Sequence, residues 1–207
     1  MELPTPNQCL DYFFQYKVPY HIKNHCLRVK EVAVFLANKL AENSNVSINH
    51  KINVELVERL ALFHDLFKVA TIKDLKPFVH HPEDYSAEEI AMWKELRTQF
   101  SGMYEGEVAY AIFKDIFPEF ALAVKRTADP KTKDKTWEER IVHYADWRVV
   151  QNQVVTLKQR LDDLKLRYTP RQSWDNYEEL IEADEDKIFS NLNFLPEDLN
   201  LKIESEK

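Results

Sequence analysis

Apolar residues recur at three- and four-residue offsets along most of this chain, and the interruptions fall at prolines, polar clusters and capping pairs. Thr5-Pro6 supplies an N-cap and a proline at the first helical position for a short amphipathic helix through Cys9, Leu10, Phe13 and Phe14. A second helix opens after Pro19, carries Val29, Val32, Ala33, Leu36, Ala37 and Leu40 at helical spacing, and ends in Glu42-Asn43-Ser44-Asn45. Asn53 caps a third, whose Leu56, Val57, Leu60, Ala61 and Phe63 run straight into His64-Asp65. The stretch from Thr71 to Tyr85 contains Pro77 and Pro82 and reads as loop with a short helical turn.

Ser86-Ala87-Glu88-Glu89 has the spacing of a capping box and starts a helix through Ile90, Trp93, Leu96 and Arg97. From Glu107 a further helix passes through Val108, Ile112 and Phe113, breaks before Pro118, and resumes through Phe120, Leu122, Val124 and Thr127. Thr136-Trp137-Glu138-Glu139 is a second capping box. It opens the longest periodic run in the chain, through Ile141, Ala145, Val149, Val154, Leu157, Leu161 and Leu164, with Asp146 inside it. Beyond Thr169-Pro170 a last helix contains Tyr177, Leu180, Ile181, Ile188 and Phe189, and from Pro196 onward the chain reads as a fraying acidic tail. The pattern predicts an all-α bundle over residues 1–170, with a C-terminal helix and acidic tail over 171–207 packed on the same domain.

Composition narrows the picture. Two glycines and nine prolines in 207 residues leave little material for hairpin turns. Cys9 and Cys26 are too few for a disulfide framework, and no apolar run resembles a signal peptide or reaches the roughly 20 residues of a membrane span. The reading is cytoplasmic, with no membrane partner. A net charge of −7 repels phosphate backbones at long range and argues against broad nucleic-acid binding, while leaving room for a local basic pocket that takes one small phosphate ester. An apolar stripe left exposed on the long helix would let two copies pair as a homodimer.

The candidate chemistry centres on His64-Asp65. Burying an imidazole beside a carboxylate costs several kcal/mol unless a hydrogen bond, an opposite charge or a metal ion compensates. Adjacent residues on a helix point about 100° apart, so both can face one ion only where the helix ends or distorts. His21, His25 and Arg28 share one face of the second helix, and the His21/His25 spacing reads either as a metal pair or as a solvated helix start. Lys68 either leans over the His64-Asp65 site or is a terminal cation favoured by the helix dipole. His80-His81 reads as solvent-facing loop, Asp146 as surface charge or buried ligand, and Arg148 as a structural salt bridge. His143, one turn before Asp146, is either its hydrogen-bond partner or a satisfied helix histidine.

Taken together, His25 followed by Arg28-Val29, then His64-Asp65 at the end of an apolar helix, then Asp146 in Tyr-Ala-Asp, resembles the H...HD...D signature of the HD-domain metal-dependent phosphohydrolases. The resemblance covers roughly residues 7–167. It implies a helical bundle whose core holds one divalent cation through His25, His64, Asp65 and Asp146. Two imidazoles and two carboxylates suit Mn, Fe, Co, Ni or Zn, with Mg admitted more weakly. A cation so held lowers the pKa of water for attack on phosphorus. The implied substrate is a small phosphate ester, a nucleotide above all, with Asp65, Lys68 and Glu105 as catalytic groups, Glu105 reading equally as an ordinary loop carboxylate, and with Arg28, Lys68, Lys125 and Arg126 as the nearby cations to bind phosphate. Two-metal members carry further histidines where this chain has Glu105 and Thr127, which argues for a mononuclear enzyme. The same departures leave an alternative: a catalytically degenerate HD-type module that binds a nucleotide or a partner without turnover.

Overall fold

The computed structural model describes residues 1–43, 51–71, 84–129, 131–167 and 174–207, and among these lie ten α-helices and one two-stranded hairpin. In chain order the helices are α1 (Pro6–Gln15), α2 (Tyr20–Glu42), α3 (Val54–Phe63), α4 (Ala87–Gln99), α5 (Glu105–Phe113), α6 (Pro118–Ala128), α7 (Trp137–Trp147), α8 (Leu157–Arg167), α9 (Trp174–Phe189) and α10 (Leu199–Ser205). The caps read from the sequence are made: Thr5, Ser86 and Thr136 each form a capping box, and the Asn53 side chain accepts from the Leu56 amide at 3.1 Å. His80-His81 and most of the segment from Thr71 to Tyr85 lie outside the described residues.

Helices α2, α3 and α7 pack on one another at the centre, α6 lies against α3 and α7, and α5 lies on α6. The apolar stripe of α2 is fully buried from Val29 to Leu40. Beside it an aromatic cluster fills the space under the end of α3, with ring centroids 5.2 Å apart for Phe63–Phe113, 5.0 Å for Phe63–Phe120 and 4.7 Å for Tyr16–Phe67. Phe63 and Phe67 flank His64-Asp65, so the rings anchor that turn on both sides.

Three expectations need correction. The periodic run from Thr136 to Leu164 is not one helix. It stops at Trp147, pairs Val149 with Val154 and Val150 with Gln153 in an antiparallel hairpin, and restarts as α8. Val149, Val150, Val154 and Val155 are poor helix formers, Gln151 takes a left-handed φ of 57°, and the buried Arg148 guanidinium donates from Nε to the Val155 carbonyl at 2.5 Å. Leu157, Leu161 and Leu164 of that run are buried within the chain, while Leu166 beside them is exposed.

The helix expected from Glu107 begins two residues earlier, which places Glu105 in its first turn rather than in a loop. Residues from Pro196 form a 3₁₀ turn and α10 rather than a fraying tail. Leu199 and Ile203 are buried, Arg148 Nη2 donates to the Pro196 carbonyl at 2.8 Å, and Lys39 pairs with Glu206 at 2.8 Å.

Gly106 sets how closely α5 sits on α6. A Cβ there would stand 2.8 Å from the Ala128 Cβ and 3.1 Å from the Lys125 Cα, closer than carbon atoms pack. Gly106→Ala is therefore expected to destabilise the protein by about 1–3 kcal/mol through overpacking. Thermal unfolding should register this as a fall of about 2–4 °C per kcal/mol.

Candidate metal centre

The end of α3 makes the His64-Asp65 pair usable. After Phe63 the backbone bonds tighten to three-residue spacing, Leu66 N to the Phe63 carbonyl at 3.1 Å and Lys68 N to the Asp65 carbonyl at 3.0 Å, and a 3₁₀ turn follows over Lys68–Ala70. His64 is buried. Its Nδ1 lies 2.7 Å from the Ala61 carbonyl, which can only accept, so Nδ1 carries a proton and donates. That leaves Nε2 turned to the interior without a hydrogen-bond partner among the described residues. An orphaned buried polar atom costs about 1–3 kcal/mol, so its surroundings matter.

Those surroundings come from three elements. His64 Nε2 lies 4.0 Å from Asp65 Oδ2 and 3.7 Å from Oδ1 of Asp146, the penultimate residue of α7. From α2, His25 presents Nε2 to the same Asp146 oxygen at 2.9 Å, while its Nδ1 donates to the Gln151 carbonyl of the hairpin turn at 3.1 Å. With Nδ1 donating on both rings, each Nε2 is turned to a carboxylate oxygen, where a ring nitrogen without a proton would be one acceptor facing another. Acceptors facing one another in this way need a proton or a cation between them.

A divalent ion fits that need. One donor atom from each of His25, His64 and Asp65 lies within 4.8 Å of the other two. Ions with bonds of about 2.0–2.2 Å hold adjacent donors about 3 Å apart and opposite ones about 4 Å apart. The backbone carbonyls of Ala61 and Gln151 fix both ring tautomers, as outer partners of metal-ligating histidines do. His21 is not in the cluster.

The centre is strongly charged. Burial opposes ionisation of Asp146, but the His25 hydrogen bond and the neighbouring His64 outweigh it and hold the carboxyl well below the usual carboxylate range. Burial likewise opposes protonation of His64, yet Asp65 and Asp146 push its pKa up to about 9. Lys68 Nζ bridges two carboxylates, Asp65 at 3.3 Å and Glu105 at 2.6 Å. Burial would lower its pKa, and those carboxylates raise it instead. Thr71 Oγ1 lies 3.3 Å from the second Glu105 oxygen.

The chain also matches the family described as HD domain, over residues 22–149. This protein belongs to the HD-domain family. HD domains bind divalent metals and are in general metal-dependent phosphohydrolases, so the His25, His64 and Asp65 cluster of this HD protein is a candidate site for such an ion. No curated protein and no solved structure matches the chain. Among the described residues, no helix is long and apolar enough to cross a membrane.

The remaining nominated residues separate. Lys68 and Glu105 meet at the centre, whereas the other cations are engaged elsewhere. Arg28 binds Glu31 on its own helix and, from α10, Glu204 at 2.9 Å and Asn200 at 3.3 Å. Lys125 pairs with Glu107 at 3.6 Å, and Arg126 with Glu139 at 2.9 Å and Asp134 at 3.3 Å. Thr127 is buried and donates back to the Ala123 carbonyl at 2.8 Å. His143 is satisfied by Asp184 of α9 at 3.2 Å, and Arg148 forms its structural bridge with Glu185 at 3.2 Å. One nearby residue had no sequence signal. Arg160, from α8, brings Nη2 to 3.9 Å from Asp146 Oδ1, and only a chain reversal in the periodic run could have revealed it.

Because a proton on His64 Nε2 and a metal ion compete for one lone pair, metal uptake by the metal-free protein is expected to release a proton. Affinity should fall by up to tenfold for each pH unit below about 9. Calorimetric titration with Mn in buffers of different ionisation enthalpy measures both effects.

Proposed function

We propose that this HD protein is a mononuclear phosphohydrolase acting on a small phosphate ester, with nucleotides as the class to test first. The observation that carries this reading is the unpartnered, buried His64 Nε2 turned towards the carboxylates of Asp65 and Asp146, with His25 alongside. His25, His64, Asp65 and Asp146 would hold the ion. Bound there, a divalent ion supplies Lewis acidity to a phosphoryl oxygen and lowers the pKa of water. One ion suffices for this reading, since Thr127 is turned back to its own helix and Glu105 is engaged by Lys68.

The protein's own groups account for the remaining steps. Glu105 stands in the first turn of α5, and Lys68 and Thr71 orient it. It is the group to accept the proton that water gives up on attacking phosphorus. Lys68, kept protonated between Asp65 and Glu105, offsets charge on a phosphoryl oxygen. A P–O bond forms to the water oxygen as the ester P–O bond breaks, Glu105 returns the proton to the leaving alkoxide, and inorganic phosphate remains.

Phosphate release from a panel of nucleotides, with Mn, Co, Ni, Zn and Mg in turn, tests this. Asp65→Ala is expected to lose both the bound ion and turnover. Glu105→Gln should keep the ion and lower kcat by about 10²–10⁴-fold, the usual range for a lost acid–base group. Ion binding with ligand-induced stabilisation but no release from any nucleotide would instead favour the non-hydrolysing binding module.

A further inference from the structure

Three carboxylates line this centre, and a phosphate ester would add one or two further negative charges. Among the four cations that the sequence offered for such an anion, Arg28 and Arg126 are hydrogen-bonded to carboxylates elsewhere, and Lys125 is ion-paired with Glu107 rather than with any group of the centre. Lys68 is at the centre but is shared by Asp65 and Glu105. The Asp146 side of the site has a different cation.

Arg160 stands there with its side chain only 14 % exposed. Its Nη2 is 3.9 Å from Asp146 Oδ1 and its Nη1 is 3.6 Å from Asp163, both beyond hydrogen-bond distance, and its Nε is buried without a hydrogen-bond partner among the described residues. A guanidinium withdrawn from water normally has its donors satisfied, because each unmet one carries a desolvation cost. This one is ion-paired with Asp146 and Asp163 but has no hydrogen bond to either carboxylate among the described residues, so its donors stay open to a further anion. Its planar donor edge matches two oxygens of a phosphoryl group, which a lysine's point charge does not.

We propose that Arg160 is the phosphate-binding residue on the Asp146 side of the centre, donating two N–H bonds to non-bridging oxygens of the substrate. The inference rests on the phosphohydrolase reading above and names the residue that holds the anion for it. The hairpin is what allows this role. A continuous helix would set Asp146 and Arg160 about 21 Å apart along its axis, at 1.5 Å per residue. The reversal at Gln151-Asn152 returns α8 to the end of α7 instead.

The test uses the full-length, Mn-loaded protein with inorganic phosphate as the probe, comparing wild type with Arg160→Ala and Arg160→Gln. Mn stoichiometry is expected to stay unchanged in both variants. Phosphate affinity by calorimetry should fall about 10–100-fold, the range for one lost charge-assisted contact, and KM for any hydrolysed ester should rise more than kcat falls. Two variants are used so that a folding failure in one leaves the comparison standing. Phosphate affinity within twofold of wild type would overturn the proposal. So would loss of Mn from a folded variant, which would make Arg160 a positioning residue for Asp146. Wild-type protein that takes up neither Mn nor phosphate would remove the phosphohydrolase reading itself. Wild type that takes up both, with variants that bind phosphate equally well, would remove only the role of Arg160.

Discussion

A single imidazole nitrogen organises this molecule. His64 is bonded on one side to the Ala61 carbonyl, and its other nitrogen is buried without a hydrogen-bond partner among the described residues. The cost of that arrangement is tolerable only if neighbouring elements bring compensating groups to the same point. Helix α2 brings His25, α7 brings Asp146, and the turn after α3 brings Asp65. The aromatic rings of Phe63 and Phe67 hold that turn from below, so the core packing and the polar centre constrain each other.

The hairpin after α7 links the centre to the C-terminal half. Arg148 closes it by bonding the Val155 carbonyl, and the same guanidinium reaches Glu185 and the Pro196 carbonyl. Gln151, in the hairpin turn, supplies the carbonyl that sets the His25 tautomer. One interruption of helical structure thus orients a candidate ligand, returns Arg160 towards Asp146 and anchors the approach to α10. A buried arginine with several carbonyl and carboxylate partners suits that junction because its fork can satisfy them at once.

Charge is distributed with similar economy. Lys68 stands between Asp65 and Glu105, lowering their mutual repulsion and keeping its own proton. Arg28, one turn beyond His25, is drawn instead to Glu31 and Glu204, so α10 is fastened to α2 by charge as well as by Leu199 and Ile203. The cations near the candidate ligands therefore divide between holding the fold and facing the centre. Helix spacing alone does not separate those roles.

Local physics made much of this legible in the amino-acid sequence. Capping pairs, proline positions and three-to-four periodicity depend on residues within one turn of each other, and so α1, α2, α3 and α4 follow their expected courses. The same holds for His64-Asp65 at a helix end, which only nearby residues define. Periodicity failed where two competing structures share it: Val149 and Val154 fit a helical stripe and a hairpin equally well, and the choice between them depends on Arg148 finding Val155, Glu185 and Pro196. It failed again at the tail, where Leu199 and Ile203 form a helix because a bundle is there to bury them. The sequence by itself determined the helical elements and the His-Asp pair, whose causes are local. Only the tertiary structure decided which cations stay with the centre, because an ion pair between distant segments depends on distances that no spacing along the chain encodes.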